Sequence, residues 1–485
     1  MRNVRRGNAL STQIATTSDA FPSRIPSWLA NFRIIPRIET YPFVTSLAQK
    51  FAGKLLILAL FALGLRFGTP DWIPLSFCLV MITFVPVRRR ILVTVATLLF
   101  TFVVPWHNYL YPVYTFSLTI FVIMLGAVCF WLSVELRNSV AGRHPVFFLL
   151  TGYSLFIVFA AYFPNNTPAY VTVWALAYTF GTYVWFIAYS LLDGRAADRD
   201  NFSLQLGAYR PFWGSTHTPI VKGASYLRRI EARDGEQLAV IQLKGLKLLA
   251  WSLLISVFSK YFEQFVHGSL AIPTFPVAFV HSVQHRPDAW YMCWASLITA
   301  FLEEVFYIAV WGHRIVACCR MAGFNALRNT YRPLSARTIA EFWNRFYFYF
   351  KELLADMFFY PVFLNYFKKN KKLRIAIATF AAAGFGNAFY HFIRDLHFIS
   401  ELGLWRAFTA FHVYLFYCTV LAGGIVISQL RKRRPPPAGF FRGHVVPVFC
   451  VVLFYCLLHV FDYTDRTYPI REHFRFVAHL VNLGY

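Results

Sequence analysis

The stretch EFWNRFYFYFKELLADMFFYPVFLNYFKKNKKLRIAIATFAAAGFGNAFYHFIRD, Glu341 to Asp395, decides how this chain is read. Its first half is rich in aromatics yet carries Arg345, Lys351, Glu352 and Asp356, too many charges for an ordinary membrane span. A basic patch, Lys368 to Arg374, leads into a clean apolar run that ends in Asn387, His391, Arg394 and Asp395. Polar groups cost several kcal/mol in hydrocarbon unless they face protein or water, so this concentration marks a functional site.

Around that stretch the chain is built for a membrane. Hydrophobic residues make up 58% of the 485 positions and charged residues only 14%, with a mean hydropathy of +0.49. This composition predicts an all-α polytopic integral membrane protein. The net charge of +25 would suggest nucleic acid in a soluble protein. Here Arg and Lys gather in short loops between apolar runs, where they set orientation and meet anionic lipid headgroups, so membrane lipids and not nucleic acid are the expected partners. The eight cysteines form no paired CxxC pattern, and neither a metal site nor a disulfide framework is expected.

Apolar runs at 51–67, 72–87, 91–104, 113–136, 146–163, 169–192, 246–266, 288–312, 373–393, 405–428 and 445–462 predict about eleven transmembrane helices. The second and third are short for a bilayer of ~30 Å and read as tilted partners or a shallow hairpin. Basic loops (88–90, 137–143, 195–247, 313–337, 368–374, 431–434) alternate with loops poor in positive charge (68–71, 105–112, 164–168, 267–287, 394–404). That alternation puts the N-terminus inside and the C-terminus outside. Because 313–337 and 368–374 are both basic, 341–365 should return to the side it came from, as a re-entrant or interfacial amphipathic helix. The expected organisation is a basic tail over 1–50, one membrane domain over 51–462 with an inner loop at 193–245 and a motif-bearing core at 341–393, and a C-terminal tail over 463–485.

His391 and Asn387 are four residues apart and share a helix face, about 27 and 21 Å along the helix from residue 373. Imidazole titrates near neutrality and suits a general base, while an amide can only orient a group. Asp395 offers His391 a partner one turn on. Glu303 and Glu304 are adjacent acids in an apolar run, and neutralisation by protonation or by an arginine of 341–365 is the expected state.

The stretch resembles the membrane-bound O-acyltransferase superfamily, above all the bacterial branch that acylates exported polysaccharides and wall polymers. Phe342-Trp343-Asn344-Arg345-Phe346-Tyr347 matches a pattern F-W-x-R-W-H, Ala355 to Val362 matches R-D-Y-I-Y-x-P-L, and Thr379 to Ala388 matches T-F-x-x-S-G-x-W-H-G. The family's essential histidine falls on Asn387 and the histidine of its first motif on Tyr347. The resemblance implies transfer of an acyl group such as acetyl, from an acyl-CoA or acyl-carrier thioester as cosubstrate, to a hydroxyl of an envelope glycan, lipid or metabolite. His391 would be base and Asn387 would orient, with Asn344, Arg345, Tyr347, Asp356, Glu303 and Glu304 lining a substrate tunnel. No bound cofactor or metal is implied, a partner protein of an export or acylation pathway is, and the setting would be a bacterial inner (cytoplasmic) membrane. The alternatives are a catalytically lapsed scaffold or passage for a partner and, more distantly, a transporter.

Overall fold

The computed structural model describes residues 34–108, 112–165, 167–194, 202–431, 439, 441–462 and 468–483. The first 33 residues of the basic tail, part of the loop at 105–112, the charged run 195–201 and the basic-proline run 432–437 lie outside the described residues.

Each apolar run of the sequence is helical. In chain order the main helices are α1 (Phe51–Arg66), α2 (Trp72–Phe84), α3 (Arg89–Asn108), α4 (Pro112–Glu135), α5 (Pro145–Ala161), α6 (Pro168–Gly194), α7 (Gly235–Glu263) and α8 (Trp290–Met321). They continue with α9 (Ile339–Phe346), α10 (Phe348–Leu354), α11 (Tyr360–Asn365), α12 (Lys371–Thr379), α13 (Asn387–Arg394), α14 (His412–Leu430), α15 (Val446–His459) and α16 (Ile470–His479). Six described helical stretches are long and apolar enough to cross a membrane: Val113–Glu135, Pro168–Gly194, Gly235–Ser269, Trp290–Met321, His412–Leu430 and Phe441–His459. Large apolar side chains such as Phe51, Leu56, Leu60 and Leu63 on α1, and Phe121, Met124 and Trp131 on α4, point outward without cover. Such a surface is tolerated in lipid and costly in water, so the chain is an all-α integral membrane protein.

Of the two runs expected to be short, the second stays short as α2, 13 residues, while the third lengthens to the 20 residues of α3. Arg314 of α8 donates to the Gly68 carbonyl at the α1–α2 tip, while Gln242 ties Thr83 near the other end of α2 to Met321, the last residue of α8.

Several boundaries move. The tail at 1–50 contains a helix, Pro42–Gln49, bent by 95° from α1, and Glu39 forms an ion pair with Lys247. The C-terminal tail contains α16, whose Glu472, His473 and Phe476 are buried. The segment expected as an inner loop is largely buried. Between Leu204 and Leu227 nearly every apolar side chain is buried, including Tyr209, Phe212, Trp213, Ile220 and Val221. Gly207 and Phe212 bond Thr97 of α3, and the segment passes Tyr183 before returning to Asp193 at the end of α6. It is a plug folded into the bundle, because the uncharged run from Pro211 to Val221 can bury its aromatics there.

A second segment folds back beside it. After α8 the chain turns at Gly323, whose φ of +91° suits glycine, and runs back along the helix until Asn329 packs on Gly312. The expected single helix over 341–365 is instead broken at Tyr347 (φ −136°, ψ 79°) into α9 and α10. Its open backbone is satisfied by protein: Phe348 N donates to the Asn329 carbonyl at 2.8 Å, and Thr330 Oγ1 to the Phe346 carbonyl at 2.9 Å. Irregular backbone at membrane depth survives only where protein or water supplies such partners. Phe342, Tyr349, Phe350, Leu353 and Leu354 are buried, so the segment lies within the protein and not on the leaflet. Ala340 meets Ser428 near the end of α14, whereas Phe350 meets Tyr390 and His391, and Phe363 stacks under Arg374. α9 thus runs toward the His391 end of α13 and α10–α11 runs back toward the start of α12, a helical hairpin with Tyr347 at its tip.

Candidate functional site

The helix carrying His391 begins where the Asn370 side chain accepts from Leu373 N at 3.1 Å, capping α12. It runs through a π-helical segment, Phe380–Gly386, into α13. The returning arm of the hairpin has its own π-helical segment at Ala355–Phe359, and the two face each other: a Cβ on Gly386 would lie 2.6 Å from the Phe358 ring. Such π-turns inside α-helices concentrate at functional sites because they re-aim the following side chains.

Beyond this contact, Asn387 is buried and its Oδ1 accepts no hydrogen bond among the described residues. His391, one turn on, points into the bundle and is half-buried, edge-on to Phe350 (centroids 5.8 Å apart) and against Tyr414 (4.6 Å). Tyr347 packs on Phe350 at 5.5 Å, so the hairpin tip and the His391 face share one aromatic wall. Asp395 is held by the Arg394 guanidinium through bonds of 2.8 and 3.2 Å.

The plug closes this wall from the third side. Thr216 Oγ1 shares a hydrogen bond with Tyr347 Oη at 3.3 Å, and Thr218 Oγ1 one with Tyr390 Oη at 2.8 Å. His217 sits between them, and burial, then the cations Arg210 and Arg394, push its imidazole down to about 4. It is therefore neutral at pH 7 and some three units too weak to match a base working near neutrality. The sequence reading missed His217, Thr216, Thr218 and Tyr390. The signal was present in the uncharged, aromatic run between Arg210 and Lys222, inside an otherwise charged loop.

The remaining expected residues divide. Tyr347 is in the cluster. Asn344 is exposed, and Arg345 is engaged with Glu341 and Ser335. Asp356 faces the bundle but is tied up: Lys222 bridges it and Glu352 at 2.7 Å each, and Tyr189 donates to it at 3.0 Å. Burial raises the Asp356 carboxyl above its usual range despite Lys222. Burial would also raise Glu352, but Lys351 and Lys222 overcome that and hold it down to about 2.

Of the two expected states, protonation or an arginine of 341–365, the arginine is not the partner: Glu303 and Glu304 pair with histidines, His267 Nε2 to Glu303 and His459 Nδ1 to Glu304, both at 3.1 Å. The reason is register, since α8 turns these acids toward the ends of α7 and α15. Glu304, His459 and Asp462 offer ligand atoms within 4.8 Å of one another, a grouping invisible in a sequence that places Glu304 more than 150 residues before the other two. Tyr417 stacks on Tyr414 at 5.0 Å, and Tyr414 on His391 at 4.6 Å.

No protein-family model and no curated protein matches this chain.

Proposed function

We propose that the chain is an eleven-span, O-acyltransferase-like protein of a bacterial inner membrane, moving an acyl group from a thioester donor to a hydroxyl acceptor. The observation that carries this reading is the inward placement of His391, against Phe350 of the re-entrant hairpin and Tyr414 of α14. His391 takes the proton of the acceptor hydroxyl as its oxygen attacks the thioester carbonyl. The thiolate leaves with the bonding pair and receives the proton back. Asn387, one turn away with an open carbonyl oxygen, orients the acceptor through its amide. Tyr347 and Thr216 position the acceptor from the opposite wall.

The test is incorporation of labelled acyl groups into envelope material by cells carrying variants. His391→Ala should abolish it at near-normal expression, and Asn387→Ala should lower the rate by less. Wild-type incorporation in His391→Ala would remove His391 as base and favour a membrane scaffold for a partner enzyme.

A further inference from the structure

Beside the acyl-transfer wall, and separated from it by Trp311, which packs edge-on against Tyr347, lies a cavity of about 330 Å³. Arg210 of the plug and Arg314 of α8 both line it. Neither guanidinium forms an ion pair among the described residues. Arg314 spends one N–H on the Gly68 carbonyl, but its Nε is buried with no acceptor. Trp213, 2% exposed, also lines the cavity, and its Nε1 has no acceptor either. Asp71 is the one carboxylate on the wall and pairs with neither arginine, so the lining carries two positive charges and one negative.

Buried N–H donors are nearly always satisfied, and an uncompensated guanidinium away from water costs several kcal/mol. The two buried orphan donors, Arg314 Nε and Trp213 Nε1, together with the exposed guanidinium of Arg210 on the same wall, therefore describe a site for an anion. A carboxylate has two oxygens to share among them. A phosphate ester has more acceptor oxygens and the fork geometry that arginine matches best. The rest of the wall mixes hydroxyls, among them Thr101, Thr119 and Ser215, with an apolar part: Leu65, Leu75, Phe100 and Phe212 come from the plug and from helices whose outer faces carry lipid-exposed side chains.

We propose that this cavity binds a phosphate ester on an apolar stem, the phosphate between Arg210 and Arg314 and the stem against α1–α3. This binding does not depend on acyl transfer. The test uses the full-length protein in a nonionic maltoside detergent and isothermal titration calorimetry with three probes: dioctanoyl phosphatidic acid, dioctanoylglycerol and inorganic phosphate. Phosphatidic acid should bind saturably and dioctanoylglycerol should not. Arg314→Gln and Arg210→Gln should each weaken phosphatidic acid at least tenfold. Arg210 makes no hydrogen bond to the described fold, so its variant keeps the test valid where loss of the Gly68 contact spoils folding of the Arg314 variant. Inorganic phosphate binding as tightly as phosphatidic acid would overturn the apolar-stem half of the proposal. Equal binding of dioctanoylglycerol, absence of binding by all three probes, or wild-type affinity in Arg210→Gln would overturn the site.

Discussion

Replacing Lys222 by methionine should destabilise the fold through a single, traceable cause. The ammonium lies 2.7 Å from both Glu352 and Asp356, and the three side chains are only 15–22% exposed. At an effective dielectric of ~20 each contact is worth roughly 6 kcal/mol of attraction before desolvation. Removing one partner of a buried pair costs about 3–5 kcal/mol, because the other charge is left behind. Here Lys351 still holds Glu352 and Tyr189 still donates to Asp356, so the loss should fall at about 2–3 kcal/mol. The assay is unfolding in mixed dodecyl sulfate and maltoside micelles followed by circular dichroism. Adding Asp356→Asn should recover most of the loss, since the stranded carboxylate is then neutral. The pH dependence has two limbs of opposite sign. Glu352, held down to about 2, stabilises the fold fully above its unfolded value near ~4.3 and loses that contribution as pH falls toward 2. Burial would lower the Lys222 ammonium, but Asp356 and Glu352 outweigh it and hold it above its usual value. Its contribution is therefore full below ~10.4 and is lost only as pH rises through the higher folded value. A Lys222→Met protein within about 0.5 kcal/mol of wild type, the range of an ordinary surface change, would refute the assignment of this cluster.

Gly386→Ala should cost about 1–3 kcal/mol by overpacking, since its Cβ would meet the Phe358 ring at 2.6 Å, and Phe358→Leu should restore part of it in the same unfolding assay. His217→Gln should leave the pH profile of acyl incorporation unchanged between pH 5 and 8, because an imidazole pushed down to about 4 is already neutral there. A lost limb in that profile would make His217 a participant in proton transfer. Asn344→Ala, at an exposed position, should change neither stability nor incorporation by a measurable amount. Reporter fusions after residues 325 and 370 should report the same side, with fusions after 275 and 400 on the other, and opposite reporters at 325 and 370 would mean that the hairpin crosses.

Much of the fold could be read from hydropathy, because apolar runs long enough to be helices in lipid have few other states. Charge bookkeeping along the loops likewise singled out 341–365 as a segment apart from the spans, and it folds as a hairpin packed inside the protein. It could not find the break at Tyr347, which depends on Asn329 and Thr330 being brought alongside by a turn at Gly323. The plug was hidden for a related reason. A loop average over 193–245 is polar, and only its inner third is not, so the residues that decide its burial were diluted by Arg228, Arg229, Glu231 and their neighbours. At the site, the shared face of Asn387 and His391 follows from helical periodicity alone. The histidine partners of Glu303 and Glu304 do not, because His267 and His459 arrive from other helices.

The plug also bears on how the chain is made. Thr218 closes on Tyr390, 172 residues later, and Lys222 meets its two carboxylates 130 and 134 positions downstream. At about 5–20 residues per second, Thr218 waits roughly 10 to 35 seconds for its partner to be synthesised. During that interval the ribosome-bound chain holds an aromatic, uncharged segment that has Thr97 and Phe100 to pack on but is left open on the side that Tyr390 will close. A nascent chain stalled before Tyr390 should therefore be a target for membrane quality-control proteases, whereas one stalled after α14 should resist them.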